Sequence, residues 1–201
     1  MDNYIENLLK IVDYENGVYI ECGANDGITQ SYTYELEKRN WIGILVEPSI
    51  QAYQKCIKNR SNRNIFINCA LVSDNIDNTI FGDFDGNLMS SVGGKRLNRT
   101  YLDSVPCRTL TSILDEYKVE KIDLFSLDVE GYELEVLKGL DFNKYSPNYL
   151  LIEIYSYNFD ELFIFLRERN YDLIISTTNF NYVDNPFWDG THNDYLFKKI
   201  L

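Results

Sequence analysis

Apolar runs alternate with amphipathic stretches along nearly the whole chain, which predicts strands and helices in turn. Strands are expected over residues 18–22, 42–46, 65–71, 122–127 and 149–154, each a short apolar run. Helices are expected over 31–39, from just after Glu47-Pro48 to Asn59, over 110–117 and over 132–140. Asn158 and Glu161 have the spacing of a capping box, with Leu162, Phe165 and Leu166 following at helical intervals, so another helix should open there. Two last strands, 173–175 and 195–197, are joined by a turn-rich stretch carrying Asn185-Pro186 and Asp189-Gly190.

Such alternation implies an α/β protein with a mainly parallel sheet and helices on both faces. No helix separates the last two strands, so that edge is expected to be an antiparallel hairpin. Residues 73–98, with Gly82, Gly86, Gly93 and Gly94, break the rhythm and read as a hairpin or lid inserted beside a ligand. Repeats, low-complexity tracts and linkers are absent, so 1–201 reads as a single domain.

The segment Tyr19-Ile20-Glu21-Cys22-Gly23-Ala24-Asn25-Asp26-Gly27 places a glycine loop directly after the first strand, where backbone N–H groups can approach a ligand. A dinucleotide fingerprint would need glycine where Asn25 and Ile28 stand, which weakens a pyrophosphate reading. Glu47 closes the second strand 20 residues after Gly27, where an acid hydrogen-bonds the ribose hydroxyls of an adenosine. The fourth strand runs into Asp128-Val129-Glu130-Gly131-Tyr132-Glu133. Carboxylates at a strand's carboxyl end point into the ligand crevice, where they suit a cationic ligand and can orient or deprotonate a hydroxyl. Glu130 and Glu133 would also complement the N-terminus of the next helix. Glu130 is the first candidate for a general base and Asp128 the second; His192, the one imidazole, lies just before the last strand. A divalent ion held by Asp128, Glu130 and Glu153 is compatible with hard oxygen ligands, though nothing in the sequence requires a metal.

The formal net charge of −12 argues against nucleic acid and against anionic membranes as partners, and favours a neutral or cationic acceptor. Cys22, Cys56, Cys69 and Cys107 form no CxxC pair and read as buried thiols rather than zinc ligands. No run approaches the roughly 18–20 apolar residues of a membrane span. Met1-Asp2-Asn3-Tyr4 carries neither a basic n-region nor an apolar h-region, so the expected location is the cytoplasm.

The segments 21–27, Glu47-Pro48, Asn68-Cys69-Ala70-Leu71, Arg108-Thr109-Leu110 and 128–133 resemble, in order and spacing, the FkbM-type methyltransferases. The resemblance spans roughly 18–153; the Asp-Val-Glu-Gly-x-Glu segment is its most specific piece, and Glu21 stands where the family usually has Asp. It implies a Rossmann-like class I methyltransferase fold with a seven-stranded sheet, and S-adenosyl-L-methionine as methyl donor with S-adenosyl-L-homocysteine as product. Carried over by position, Glu21, Gly23, Ala24, Asn25 and Gly27 would line the methionine portion, with Ser31 nearby. Glu47, beside Pro48, would hold the ribose, Asn68 and Ala70 would lie near the adenine, and Ser90 and Ser91 would face the cofactor. Asp128 and Glu130 would sit beside the reacting methyl, with His192 a further catalytic candidate. The expected reaction is O-methylation of a sugar, glycan or small-metabolite hydroxyl. Tyr155, Tyr157, Tyr182 and Trp188 would stack on sugar faces or simply pack. A nicotinamide-dependent oxidoreductase and a catalytically silent adenosine-binding module remain the alternatives; oligomeric state is open.

Overall fold

A computed structural model of the chain describes residues 3–74, 78–178, 183 and 190–200. Tyr182, Asn185-Pro186, Trp188 and Asp189, named above, lie outside the described residues. The elements run α1 (Asn3–Ile11), β1 (Val18–Cys22), α2 (Thr33–Glu37), β2 (Ile42–Val46), α3 (Ile50–Asn59), β3 (Ile65–Ile67), β4 (Ala70–Leu71) and β5 (Thr79–Gly82). They continue with β6 (Asp103–Arg108), α4 (Leu110–Glu116), β7 (Leu124–Leu127), α5 (Glu133–Lys138), β8 (Tyr149–Tyr155), α6 (Phe159–Arg167), β9 (Tyr171–Ser176) and β10 (His192–Lys199).

Seven strands form one sheet in the order β3-β2-β1-β7-β8-β10-β9. The first five are parallel, and β10 inserts antiparallel between β8 and β9, giving the expected antiparallel edge. The order reverses between β1 and β7, and in open α/β sheets that switch point is where ligands bind. Period-two alternation sorts the side chains between two cores. Ile20 and Cys22 of β1 face α4, α5 and α6 through Leu110, Val136 and Leu162, whereas Tyr19 faces α1, α2 and α3 through Leu8, Leu36 and Cys56. All four cysteines are buried free thiols. Among the described residues no helix is long and apolar enough to cross a membrane.

Three expectations are corrected. The strand expected over 65–71 is two: the Asn68 side-chain amide donates to the Glu47 and Pro48 carbonyls, ending the pairing with β2, and Ala70–Leu71 turns away to pair with β6. The insertion extends past residue 98, because β5 pairs antiparallel with β6 at Asp103–Pro106; Pro106, lacking an N–H, disguises that strand in the sequence. The capping box at Asn158 does not form: its side chain makes no cap hydrogen bond, and its Oδ1 is buried without a partner.

Candidate active site

A cleft continuous with solvent opens at the carboxyl ends of β1, β2, β7 and β8. The insertion between β5 and β6 forms its outer wall through Phe84, Leu88, Ser90, Ser91 and Val92.

The glycine loop is shaped by contact with β7. Gly23 has φ +81°, and a Cβ there would lie 1.8 Å from the Asp128 carbonyl oxygen. Its N–H and that of Ala24 donate to the Val46 carbonyl, which seats the loop on the end of β2. Asn25 also has positive φ, at +44°, and its N–H donates to the Glu47 carboxylate at 2.8 Å. The Gly23→Ala variant is therefore expected to lose stability by roughly 2–4 kcal/mol, from backbone strain plus a clash with backbone that cannot move aside. Urea unfolding measures this, and an unchanged midpoint would show that the β1 and β7 ends separate without cost.

Beneath the loop lies a buried polar network that the sequence reading missed. Arg60, at the end of α3 and 5% exposed, donates to Glu21, the Gly27 carbonyl, Ser31, Tyr19, Thr33 and Glu37. Glu21 also accepts from Ser31 and Thr33 at 2.6 Å each. Glu21 and Ser31 thus line the cleft, but their polar atoms are engaged by Arg60 and by each other. Burial would raise the Glu37 carboxyl, yet hydrogen bonds from Arg60 and the Ser61 N–H, with the Arg60 charge, hold it below the ordinary carboxylate range. A glutamate inside the apolar run of β1 was the available signal, since a buried carboxylate requires a partner.

At the far side, carboxylates converge after β7. Asp128 is open to the cleft, and one oxygen each of Asp128, Glu133 and Glu153 lie within 4.8 Å of one another. Glu153 faces Asp194 across the β8–β10 pairing. Burial first, and then repulsion from neighbouring acids, pushes Glu153 well above the usual carboxylate range. Burial raises Glu133 to about 7 and Asp194 to about 6, and Glu47, on the opposite side, to about 7. Glu130 stands apart from this trio: it accepts from the Tyr155 hydroxyl and pairs with Arg96 of the insertion at 3.2 Å.

The cleft brings together Glu21, Gly23, Ala24, Asn25, Ser31, Glu47, Pro48, Ala70, Ser90, Ser91, Asp128 and Glu130. Gly27, Asn68 and His192 are not among its lining residues. Gly27 backs onto Arg60 and Cys56, Asn68 braces the end of β2, and His192 is the first residue of β10 rather than a loop residue. Its Nε2 lies 3.4 Å from Glu153, and its ring packs 5.3 Å from that of Tyr155. Tyr32, Tyr132 and Asp194 line the cleft without having been expected; they come from separate elements and share no sequence motif.

The family model of the methyltransferase FkbM domain matches residues 21–173. Among solved structures, M. capricolum TrmK in complex with S-adenosyl-homocysteine superposes with a TM-score of 0.57 at 12% identity, covering 99% of this chain and 69% of that one. Precorrin-6y C5,15-methyltransferase from Geobacter metallireducens gives 0.57 at 10% identity, over 98% and 87% of the two chains. A TehB-like SAM-dependent methyltransferase from Corynebacterium glutamicum gives 0.51 at 11% identity, over 100% and 89%. No curated protein matches the sequence. At these identities the structural likeness shows a shared fold.

Proposed function

Because the chain belongs to the FkbM methyltransferase family, whose activity depends on S-adenosyl-L-methionine, we propose that its methyl acceptor is a hydroxyl of a sugar, glycan or small metabolite. The observation that carries this reading is Glu130, a carboxylate fixed on the cleft wall by Tyr155 and Arg96 and two residues from Asp128. A hydroxyl is a poor nucleophile until its proton leaves, and a positioned carboxylate provides the acceptor for that proton.

The residues present fit the donor. Each Glu47 oxygen accepts one backbone N–H, from Asn25 or Ser49, and a carboxylate has further lone pairs that can receive ribose hydroxyls. The acids at the β7 end suit a cationic ligand. When bound, S-adenosyl-L-methionine supplies an electrophilic methyl on a positively charged sulfur, a charge that is gone in S-adenosyl-L-homocysteine. Gly23, Ala24 and Asn25 would face its methionine portion, while Ala70 would lie near the adenine and Ser90 and Ser91 would close over it. Glu130 would take the acceptor's proton, and the remaining catalysis comes from holding acceptor and methyl in line. Tyr155 is 2% exposed and braces Glu130, so it packs; Tyr157, 75% exposed and tilted against Tyr155 at 5.5 Å, is available to a sugar face.

Calorimetric titration of S-adenosyl-L-homocysteine, with NAD in parallel, tests the cofactor side. Micromolar binding of the former alone is expected, weakened at least roughly tenfold in Glu47→Ala by loss of charge-assisted hydrogen bonds. Labelled methyl transfer to sugars, nucleotide sugars and amines tests the acceptor. Label appearing only on amines overturns the hydroxyl reading.

A further inference from the structure

We propose that Asp128, Glu133 and Glu153 form a divalent-cation site at the floor of the cleft, of the hard, oxygen-only kind suited to magnesium or manganese. Three separate elements deliver these groups: the end of β7, the first residue of α5 and the middle of β8. One oxygen from each lies within 4.8 Å of the others, close enough for one ion to touch all three after small side-chain adjustments.

Convergence alone would be only an acidic cluster. The second observation is that two of the three carboxylates are almost fully buried, Glu133 at 0% and Glu153 at 8% exposure, and each has an Oε2 without a hydrogen-bond partner. The Val129 and Gly131 N–H groups hold Oε1 of Glu133, at 3.2 and 2.9 Å, and leave Oε2 for a ligand. His192 Nε2 lies 3.4 Å from Oε1 of Glu153. Buried carboxylate oxygens without a donor are costly, and a cation bound among them removes that cost for two groups at once.

Arg96 of the insertion pairs with Glu130. That pairing also corrects the trio expected from the sequence: Glu130 is drawn to Arg96 and Tyr155, and Glu133 takes its place beside Asp128 and Glu153. Three carboxylate oxygens leave about half of an octahedral shell for water and for an incoming ligand. Asp128 opens on the cleft, so those positions face the acceptor. Resting on the hydroxyl-methylation reading, the cation would take the acceptor oxygen as a ligand and ease its loss of a proton to Glu130.

Manganese binding, followed by electron paramagnetic resonance on the full chain, tests the site without reference to activity. One saturable manganese ion displaced by magnesium is expected, with affinity weakened roughly tenfold or more in Glu153→Gln and in Asp128→Asn. A cooperative urea-unfolding transition in each variant shows that it remains folded. Absence of a saturable ion overturns the proposal and means that the carboxyls are held together by shared protons. Binding that both folded variants retain also overturns it, because surface acids then account for the ion. A bound ion, sensitive to the variants, in a protein that methylates only amines would support the site and overturn the acceptor reading. Hydroxyl methylation with no ion bound would do the reverse.

Discussion

Glu130→Gln is expected to slow methyl transfer by roughly a hundred- to ten-thousand-fold, the usual contribution of a positioned acid or base, while S-adenosyl-L-homocysteine binds as before. Glutamine keeps the shape of the side chain, and its amide oxygen can still accept from Tyr155 and Arg96. It cannot take up a proton at neutral pH. The backbone at this point is held independently of the Glu130 side chain. Glu130 and Gly131 have φ +58° and +96°, and Glu133 accepts the Val129 and Gly131 N–H groups, so the turn survives the change. Single-turnover rates with saturating donor isolate the chemical step. A variant that retains the full rate would move the proton to Asp128, two residues away on the cleft wall.

Arg60→Ala is expected to destabilise the fold by about 3–5 kcal/mol, the range for removing one partner of a buried ion pair. The change leaves Glu21, 5% exposed, without the guanidinium that now lies 3.0 Å away, and takes a donor from Glu37 at 2.9 Å. Tyr19, Thr33, Ser31 and the Gly27 carbonyl lose a donor as well. Urea unfolding reads the loss. Arg60→Lys should recover only part of it, because an ammonium keeps the charge but cannot reproduce the planar fork. Donor affinity should fall with stability, since Arg60 holds the carbonyl that ends the glycine loop.

The pH response should change too. Glu37 is held below the ordinary carboxylate range in the folded protein, so its stabilisation is present above the unfolded value and is lost as pH falls through the folded one. In Arg60→Ala that acid-dependent loss should shrink. An unchanged slope of stability against pH below the ordinary carboxylate range would remove Arg60 as its cause.

Much of the cleft was legible because its pieces are local in the chain. Gly23 and Asn25 follow β1 directly, Glu47 follows β2, and Asp128 and Glu130 follow β7, so a strand and the loop after it carry both the motif and its position. Helix α1 was legible in principle, since Leu8, Leu9 and Val12 recur at helical spacing and pack against the sheet. Strand β6 was hidden by Pro106, and the break after β3 depends on where the Asn68 amide finds its carbonyls. His192 was placed by proximity to a strand end, but strand register turns its ring toward Glu153 and Tyr155.

By itself the sequence determined the strand–helix alternation after residue 18 outside the insertion, the mainly parallel sheet and the acids at its strand ends, because hydrophobic period and turn chemistry act over a few residues. Only the tertiary structure decided which acid meets which partner. Glu21 pairs with Arg60 across 39 residues and Glu130 with Arg96 across 34, while Glu133, three residues beyond Glu130, joins Asp128 and Glu153 instead. Coulomb energy and desolvation depend on separation in space and on burial, and neither can be read from position along the chain.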